Sequence, residues 1–276
     1  MILGVRRWHL MEIHEQPWCP PAIRDGATDY LRFIATVAQQ YRYVVPLLQE
    51  ALHESGSRRI VDLCSGSGGP WLQLQPMLNA TSPAVPILLT DLYPSQAPPS
   101  VSSSPNLHFL TTAVDATHIP AELTGLRTLF TAFHHFPPPR ARALLQDAVD
   151  AEQGIGIFEQ TARTPLALLV MLLLPWLSLL VAPFVRPWRW KRLFWTLVIP
   201  LIPLVLCCDG VVSCLRTYST TELQEMVNTL QPPPSGLHYK WQIGHLPSPL
   251  SPIGVTYAIG YPVRAETNGP RVAPTR

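Results

Sequence analysis

The chain has 276 residues, 47% of them hydrophobic, which is ample for a folded core and excludes disorder as the default. The net charge of +2 is nearly balanced, and there is no lysine-rich tract or mixed basic and aromatic face, so no nucleic-acid partner is expected. Only 14% of the residues are charged, against roughly 25% in an ordinary soluble domain, which indicates that something other than water covers part of the surface.

The N-terminal 58 residues are predicted to form an irregular segment followed by a helical cap. Residues 1–26 are interrupted by prolines, and beyond them Leu31, Ile34 and Ala38 recur at helical spacing. A second set of apolar residues repeats this spacing over 47–52. Two helices are therefore expected before the first strand.

Compartment and metal content are predicted from the cysteines and the N-terminus. The five cysteines are odd in number and show no paired spacing of the Cys-x-x-Cys kind, so reduced thiols and no metal site are expected. Residues 1–10 contain no apolar run long enough for a signal peptide, so export is not expected.

Strand-like runs alternate with helical stretches through the middle of the chain, at 59–63, 86–90, 107–111, 127–133 and 154–159. A helix is predicted over Pro138 to Asp150, and the alternation indicates a parallel sheet with both faces covered. Ser219 and Glu222 form a capping-box pattern for a helix from Glu222 to Leu230. Two last strands, 237–244 and 254–261, are predicted to pair antiparallel, and 263–276 is predicted to be a polar tail.

A hydrophobic hairpin with a basic tip is predicted over 164–216. Residues 164–185 and 193–208 carry no charge, and between them lie Arg186, Arg189, Lys191 and Arg192. The first run has the roughly 20 apolar residues needed to cross a bilayer, whereas the second is short and contains two prolines.

The basic tip decides between possible membrane arrangements. If both runs crossed, the tip would stay cytoplasmic and the rest of the protein would lie outside. We therefore expect a hairpin that dips into the cytoplasmic leaflet, with Trp188, Trp190 and the four cations near the headgroups or folded against the domain. The alternative is a cytoplasmic protein in which the same segments form a buried lid or a dimer interface.

A glycine-rich turn follows the first predicted strand. The strand ends at Asp62 and is followed by Cys64, Ser65, Gly66 and Gly68. Glycines permit positive φ and remove the Cβ atoms that would hold a ligand away from the main chain. This pattern is typical of a backbone loop that binds a nucleotide-like ligand.

Two further acids close the next strand-like segments. Asp91 ends the second, and Asp115 lies after the third. A carboxylate at the end of the second strand can accept hydrogen bonds from both hydroxyls of a ribose and repels a 2′-phosphate. The three acids therefore favour an adenosine ligand over a dinucleotide whose pyrophosphate Asp62 would repel.

Residues 60–68 resemble the first motif of the class I S-adenosylmethionine-dependent methyltransferases, with Cys64 where the first glycine is usual. The resemblance covers roughly residues 28–160 and 217–262. It implies an α/β Rossmann-like sheet of seven strands, mostly parallel with an antiparallel last strand, built from a core at 59–163 and a completing unit at 217–262. It also implies that S-adenosylmethionine is the cofactor, contacted by Asp62, Cys64, Ser65, Gly66, Gly68, Asp91, Leu92, Asp115, Ala116 and Thr131.

Candidate catalytic residues lie at the ends of the fourth and fifth strands. His134 or His135 could remove a proton from the methyl acceptor near neutral pH, and Glu159 could contact the substrate. The alternative is that the histidines only pack or orient the loop. We expect methyl transfer to a small, lipophilic acceptor; the competing hypothesis is a non-catalytic protein that uses this fold to bind a ligand or anchor to a membrane. The oligomeric state is left open.

Overall fold

The computed structural model describes residues 6–66, 68–80, 84–94, 104–249 and 251–263. It forms one seven-stranded sheet in the order β3-β2-β1-β4-β5-β7-β6. The strands are β1 Ile60–Asp62, β2 Ile87–Leu89, β3 Leu107–Phe109, β4 Leu126–Phe130, β5 Ile155–Glu159, β6 His238–Ser248 and β7 Ser251–Val263. The predicted tail lies outside the described residues, apart from Val263.

The first five strands are parallel and the last two complete the sheet. β7 pairs antiparallel with both β5 and β6, so the predicted α/β sheet with an antiparallel end is confirmed. The register places Ile60 of β1 beside Ile87 and Leu126, all three fully buried. Apolar residues on successive positions are what a parallel strand buried on both faces requires.

The fourth strand is shorter than predicted. Residues 127–133 were expected to be extended, yet β4 ends at Phe130 and Thr131 has φ of +46°. A 3₁₀ turn then spans Phe133–His135. The run of apolar residues continues because Phe133 is buried, but the chain has already left the sheet.

Helices cover both faces of the sheet. They are α1 Pro21–Val37, α2 Val45–Ser55, α3 Trp71–Asn79, α4 Pro138–Asp150, α5 Pro165–Val181, α6 Trp190–Leu193, α7 Leu201–Arg216 and α8 Thr220–Asn228. α2 and α3 contribute to the core on one face, and α4 and α8 to the core on the other. The capping box of Ser219 and Glu222 is confirmed.

The first helix begins earlier than predicted. Residues 21–26 were expected to be irregular, but α1 starts at Pro21. Proline is favoured in a first helical turn because its missing N–H would have no helical partner there. The proline that suggested an irregular segment is therefore a helix start.

The hydrophobic segment 164–216 folds back on itself as α5, α6 and α7. α7 packs on α1, where Ile202 and Val205 join Ile23 and Tyr30 in one apolar cluster. α5 has 17 residues, about 25 Å of helix. Within the described residues no single helix meets the length and apolarity of a membrane span; only Trp190–Val198 and Leu201–Arg216 do so together, with a 78° bend between them.

Many apolar side chains of this segment remain exposed. The large ones, which we call the outer apolar face, are Leu166, Leu169, Leu172, Leu173, Trp176, Leu177, Leu180, Phe184, Trp188, Trp190, Phe194, Leu197, Val198, Ile199, Leu201 and Leu204. Arg186, Arg189 and Lys191 are also exposed.

Arg192, unlike the other three cations of the tip, folds against the domain. It is 2% exposed, and its Nη1 donates to Asp29 Oδ2 at 2.5 Å. Its Nη2 donates to the carbonyl oxygens of Val185 and Pro187. Because a buried guanidinium needs a counter-charge, this cation ties the tip to α1.

Candidate functional site

The loop after β1 is a tight backbone turn at the carboxyl edge of the sheet. Gly66, Gly68 and Gly69 all have positive φ, of 53°, 109° and 52°. A Cβ built on Gly66 would meet no atom within 4 Å, so this glycine borders open space. The predicted glycine loop is present, and its exposed main chain can be approached by a ligand.

Asp62 lies beneath this loop and is 1% exposed. Thr128 Oγ1 donates to its Oδ1 at 2.6 Å and Ser65 Oγ to its Oδ2 at 2.7 Å. Burial raises the pKa of Asp62 to about 6, although these two hydrogen bonds favour the ionised form. Asp62 therefore holds the loop from below and changes charge close to neutral pH.

Cys64 occupies the first glycine position of the motif with φ of +56°. Burial, reinforced by the charges of Asp91, Asp62 and Asp115, raises the pKa of its thiol to about 12. The thiol is therefore protonated at neutral pH and is no nucleophile. Its side chain packs against the core between the sheet and α4.

Asp91 and Asp115 are brought together beside the loop. Asp91 Oδ2 accepts a hydrogen bond from Gly66 N at 2.8 Å, and its backbone oxygen accepts from Val114 N at 2.9 Å. Asp115 is turned back to Thr117, whose N and Oγ1 donate to its Oδ1. These hydrogen bonds lower the pKa of Asp115.

Asp91 has acceptor capacity beyond its contacts with the described residues. A carboxylate has about four lone-pair positions, and among the described residues Gly66 N and Tyr93 N donate to Asp91, one to each oxygen. Leu92 is exposed beside it, whereas Ala116 is buried and offers only its backbone. The open glycine, the half-free carboxylate and the adjacent apolar surface fit a ribose and an aromatic base.

Thr131 meets a residue that sequence reasoning missed. Tyr41, from the connection between α1 and α2, has its hydroxyl hydrogen-bonded to Thr131 Oγ1. Tyr41 is 6% exposed and also packs edge-on against Phe130. The N-terminal helical cap therefore reaches the end of β4.

His134 and Glu159 form a buried pair at the ends of β4 and β5. His134 Nδ1 lies 2.7 Å from Glu159 Oε2, and the other carboxylate oxygen accepts from the backbone N–H groups of Phe133 and His134. Burial would raise the pKa of Glu159, but the His134 imidazole and these bonds bring it below its ordinary value. The structure brings these two predicted residues into direct contact.

The N-terminal segment supplies the other side of this histidine. Glu12, 1% exposed, places Oε1 at 3.7 Å from His134 Nε2 and accepts from Arg216 Nη1 at 3.0 Å. His135 is more exposed, and its Nδ1 lies 2.5 Å from Glu15 Oε1. The only sequence signals for these partners were acids in the N-terminal segment and an arginine ending an apolar helix.

The comparisons with known proteins agree with this architecture. No protein-family model and no curated protein matches the sequence. The plantazolicin methyltransferase BpumL, solved with a pentazolic desmethylPZN analog and SAH, is similar with a TM-score of 0.50 and 12% identity, over 88% of this chain and 92% of that one. At this identity the likeness shows the fold alone, and the chain has the class I methyltransferase fold.

Two other solved structures have lower scores. Human N-acetylserotonin methyltransferase in complex with SAM gives a TM-score of 0.45 and 14% identity over 88% of this chain. An O-methyltransferase from neocarzinostatin biosynthesis, solved with SAM and 2-hydroxy-5-methyl naphthoic acid, gives 0.45 and 13% over 88%. This chain spans 58% and 59% of those two proteins.

Proposed function

We propose that this chain is an S-adenosylmethionine-dependent methyltransferase that acts on a small lipophilic acceptor at the cytoplasmic face of a membrane. The observation that supports this cofactor is the open loop at Gly66, whose N–H donates to Asp91, at the carboxyl edge of a sheet with the class I methyltransferase fold. BpumL, the solved structure with the TM-score of 0.50, was crystallised with SAH, which supports the same cofactor here.

Each residue around the loop would contact a different part of the cofactor. The free lone pairs of Asp91 would accept from the ribose hydroxyls, and Asp115 and the Ala116 backbone would face the adenine. Ionised Asp62 would favour the cationic amino-acid end of the ligand through the loop. When bound, S-adenosylmethionine supplies an electrophilic methyl group on a sulfonium.

The chain's part in the reaction is mainly positioning. A methyl transfer needs a nucleophile aligned with the methyl group, and holding two reactants together can account for about 7–11 kcal/mol of a barrier. His134 is enclosed between two carboxylates, which suits a residue that orients the loop after β4. His135, the more exposed of the pair, stays the better candidate for a base.

The lipophilic acceptor is supported by the outer apolar face. Its leucines and tryptophans lie on one segment, and Arg186, Arg189 and Lys191 are exposed beside Trp188 and Trp190. Apolar and aromatic side chains flanked by cations are typical of helices that lie in the headgroup region of an anionic leaflet. A short α5 and a bent α6–α7 suit dipping rather than crossing.

Label transfer tests this proposal. The full chain is incubated with methyl-labelled S-adenosylmethionine and either a total lipid extract or the water-soluble metabolites of the same cells. Label in the organic phase with lipid, reduced at least tenfold by Asp91→Ala, is the expected result. Binding of the cofactor without any transfer would favour a non-catalytic ligand-binding protein, and label only in water-soluble products would overturn the lipophilic acceptor.

A further inference from the structure

We infer that Glu12, His134 and His135 bind a divalent transition-metal ion of the zinc class. One ligand atom from each residue lies within 4.8 Å of the other two. Two imidazoles and a carboxylate are a donor set that zinc and its neighbours accept, whereas magnesium prefers oxygen ligands alone. Because these residues come from positions 12, 134 and 135, no local spacing in the sequence indicates the site.

The distances suit such an ion with modest movement. Ligand atoms 2.0–2.1 Å from a tetrahedral zinc lie about 3.4 Å apart. His134 Nε2 and Glu12 Oε1 are 3.7 Å apart, so this edge needs a contraction of only a few tenths of an ångström. The rings of His134 and His135 are close neighbours, with centroids 4.1 Å apart.

The hydrogen bonds of His134 leave its second nitrogen unsatisfied. Glu159 Oε2 lies 2.7 Å from Nδ1, which orients the ring so that Nε2 faces Glu12. Nε2 is buried and, within the described residues, has no hydrogen-bond partner. Glu12 Oε1 is 3.7 Å away, too far for a hydrogen bond. A metal ion between the two residues would give Nε2 a partner.

The charge around the site favours a cation. Four carboxylates, those of Glu12, Glu15, Glu159 and Asp209, lie in one network with Arg216, and Arg7 joins it by donating to the backbone oxygens of His134 and Arg216. With neutral histidines the balance is four negative charges against two positive, and a dication offsets the excess of two. Arg216 and Ser213 both donate to Glu12 Oε1, the oxygen nearest His134 Nε2, so the ion would take the place of one of these donors.

The ion would fasten the N-terminal segment to the end of β4. Glu12 lies before α1, and the two histidines lie in the 3₁₀ turn after β4. Glu159 would then be the outer carboxylate that orients a ligating histidine, an arrangement common at zinc sites. This inference does not depend on methyl transfer, but a bound ion would exclude His135 as the base, because Glu15 already contacts its Nδ1.

Metal titration of the full, chelator-treated chain tests the site without any methyl donor. Calorimetry is expected to show one Zn²⁺ per chain, with no comparable Mg²⁺ binding. Co²⁺ is expected to give the visible absorption of a tetrahedral ion. Zinc at a hundredfold excess over its Kd should raise the Tm by about 5 °C or more.

Variants connect the binding to these residues. Glu12→Gln and His135→Gln are expected to weaken Zn²⁺ at least tenfold, and His134→Gln at least as much. His53→Gln is the matched control, because the His53 side chain is 87% exposed. If His134→Gln fails to fold, His135→Gln decides, since His135 is more exposed than His134. Absence of one-to-one Zn²⁺ binding, or equal affinity in His135→Gln and His53→Gln, would overturn the inference, whatever the outcome for methyl transfer.

Discussion

Replacing Glu159 by alanine is expected to destabilise the fold strongly. Its carboxylate is 3% exposed and serves four donors, the backbone N–H groups of Phe133 and His134, the imidazole Nδ1 of His134 and, at 3.4 Å, the hydroxyl of Thr161. Each buried donor left without a partner costs about 1–3 kcal/mol. Allowing for local relaxation, the free energy of unfolding should fall by about 3–6 kcal/mol, a large share of the 5–15 kcal/mol typical of a domain.

Urea unfolding followed by circular dichroism measures this loss, with the slope m unchanged if only stability is affected. Glu159→Gln should fall between the wild type and Glu159→Ala, because it keeps one acceptor oxygen. Glu225→Ala, at an exposed position of α8, is the control and should change stability by about 0.5 kcal/mol or less. If Glu159→Ala is within about 1 kcal/mol of this control, Glu159 does not hold the turn after β4.

Three other predictions concern charge, cofactor and membrane. The pKa of Asp62 is about 6 in the folded protein against 3.8 ordinarily, so the native state binds more protons than the unfolded state between these pH values. The free energy of unfolding should therefore fall by about 3 kcal/mol as the pH rises through this range. Urea midpoints at pH 4 and 7 should show a smaller fall in Asp62→Asn than in the wild type, and equal falls would refute this role of Asp62. Asp91→Ala should weaken SAH binding by about ten- to hundredfold in calorimetry, because charge-assisted hydrogen bonds are lost, and unchanged affinity would exclude Asp91 from the site. Leu173→Glu with Leu180→Glu should abolish flotation with anionic liposomes, whereas Leu72→Glu on α3 should not; equal flotation would remove the outer apolar face as the membrane contact.

Local patterns in the sequence were sufficient for most of the fold. The alternation of apolar runs with helices predicted the parallel strands, and the bounds of α4 were predicted at both ends. The capping box at Ser219 identified α8, which runs from Thr220 to Asn228, two residues earlier at each end than predicted. These features depend on residues a few positions apart, whose spacing is set by the helix and strand periods.

The site was predictable only in part, because its remaining contacts join distant residues. The glycine loop and its acids could be identified from one motif, but the contacts of Glu12 with His134 and Arg216 link both ends of the chain. The ion pair of Arg192 with Asp29 of α1 likewise joins residues that are far apart in the sequence. No periodicity records such pairings, since they arise only when helices pack.

Calorimetry with SAH tests the central claim most directly, because it needs neither the acceptor nor a membrane. The account predicts that the full chain binds one SAH and that NADH, whose pyrophosphate Asp62 repels, gives no heat of binding. A chain that is folded by circular dichroism and shows no affinity for SAH or S-adenosylmethionine would contradict it.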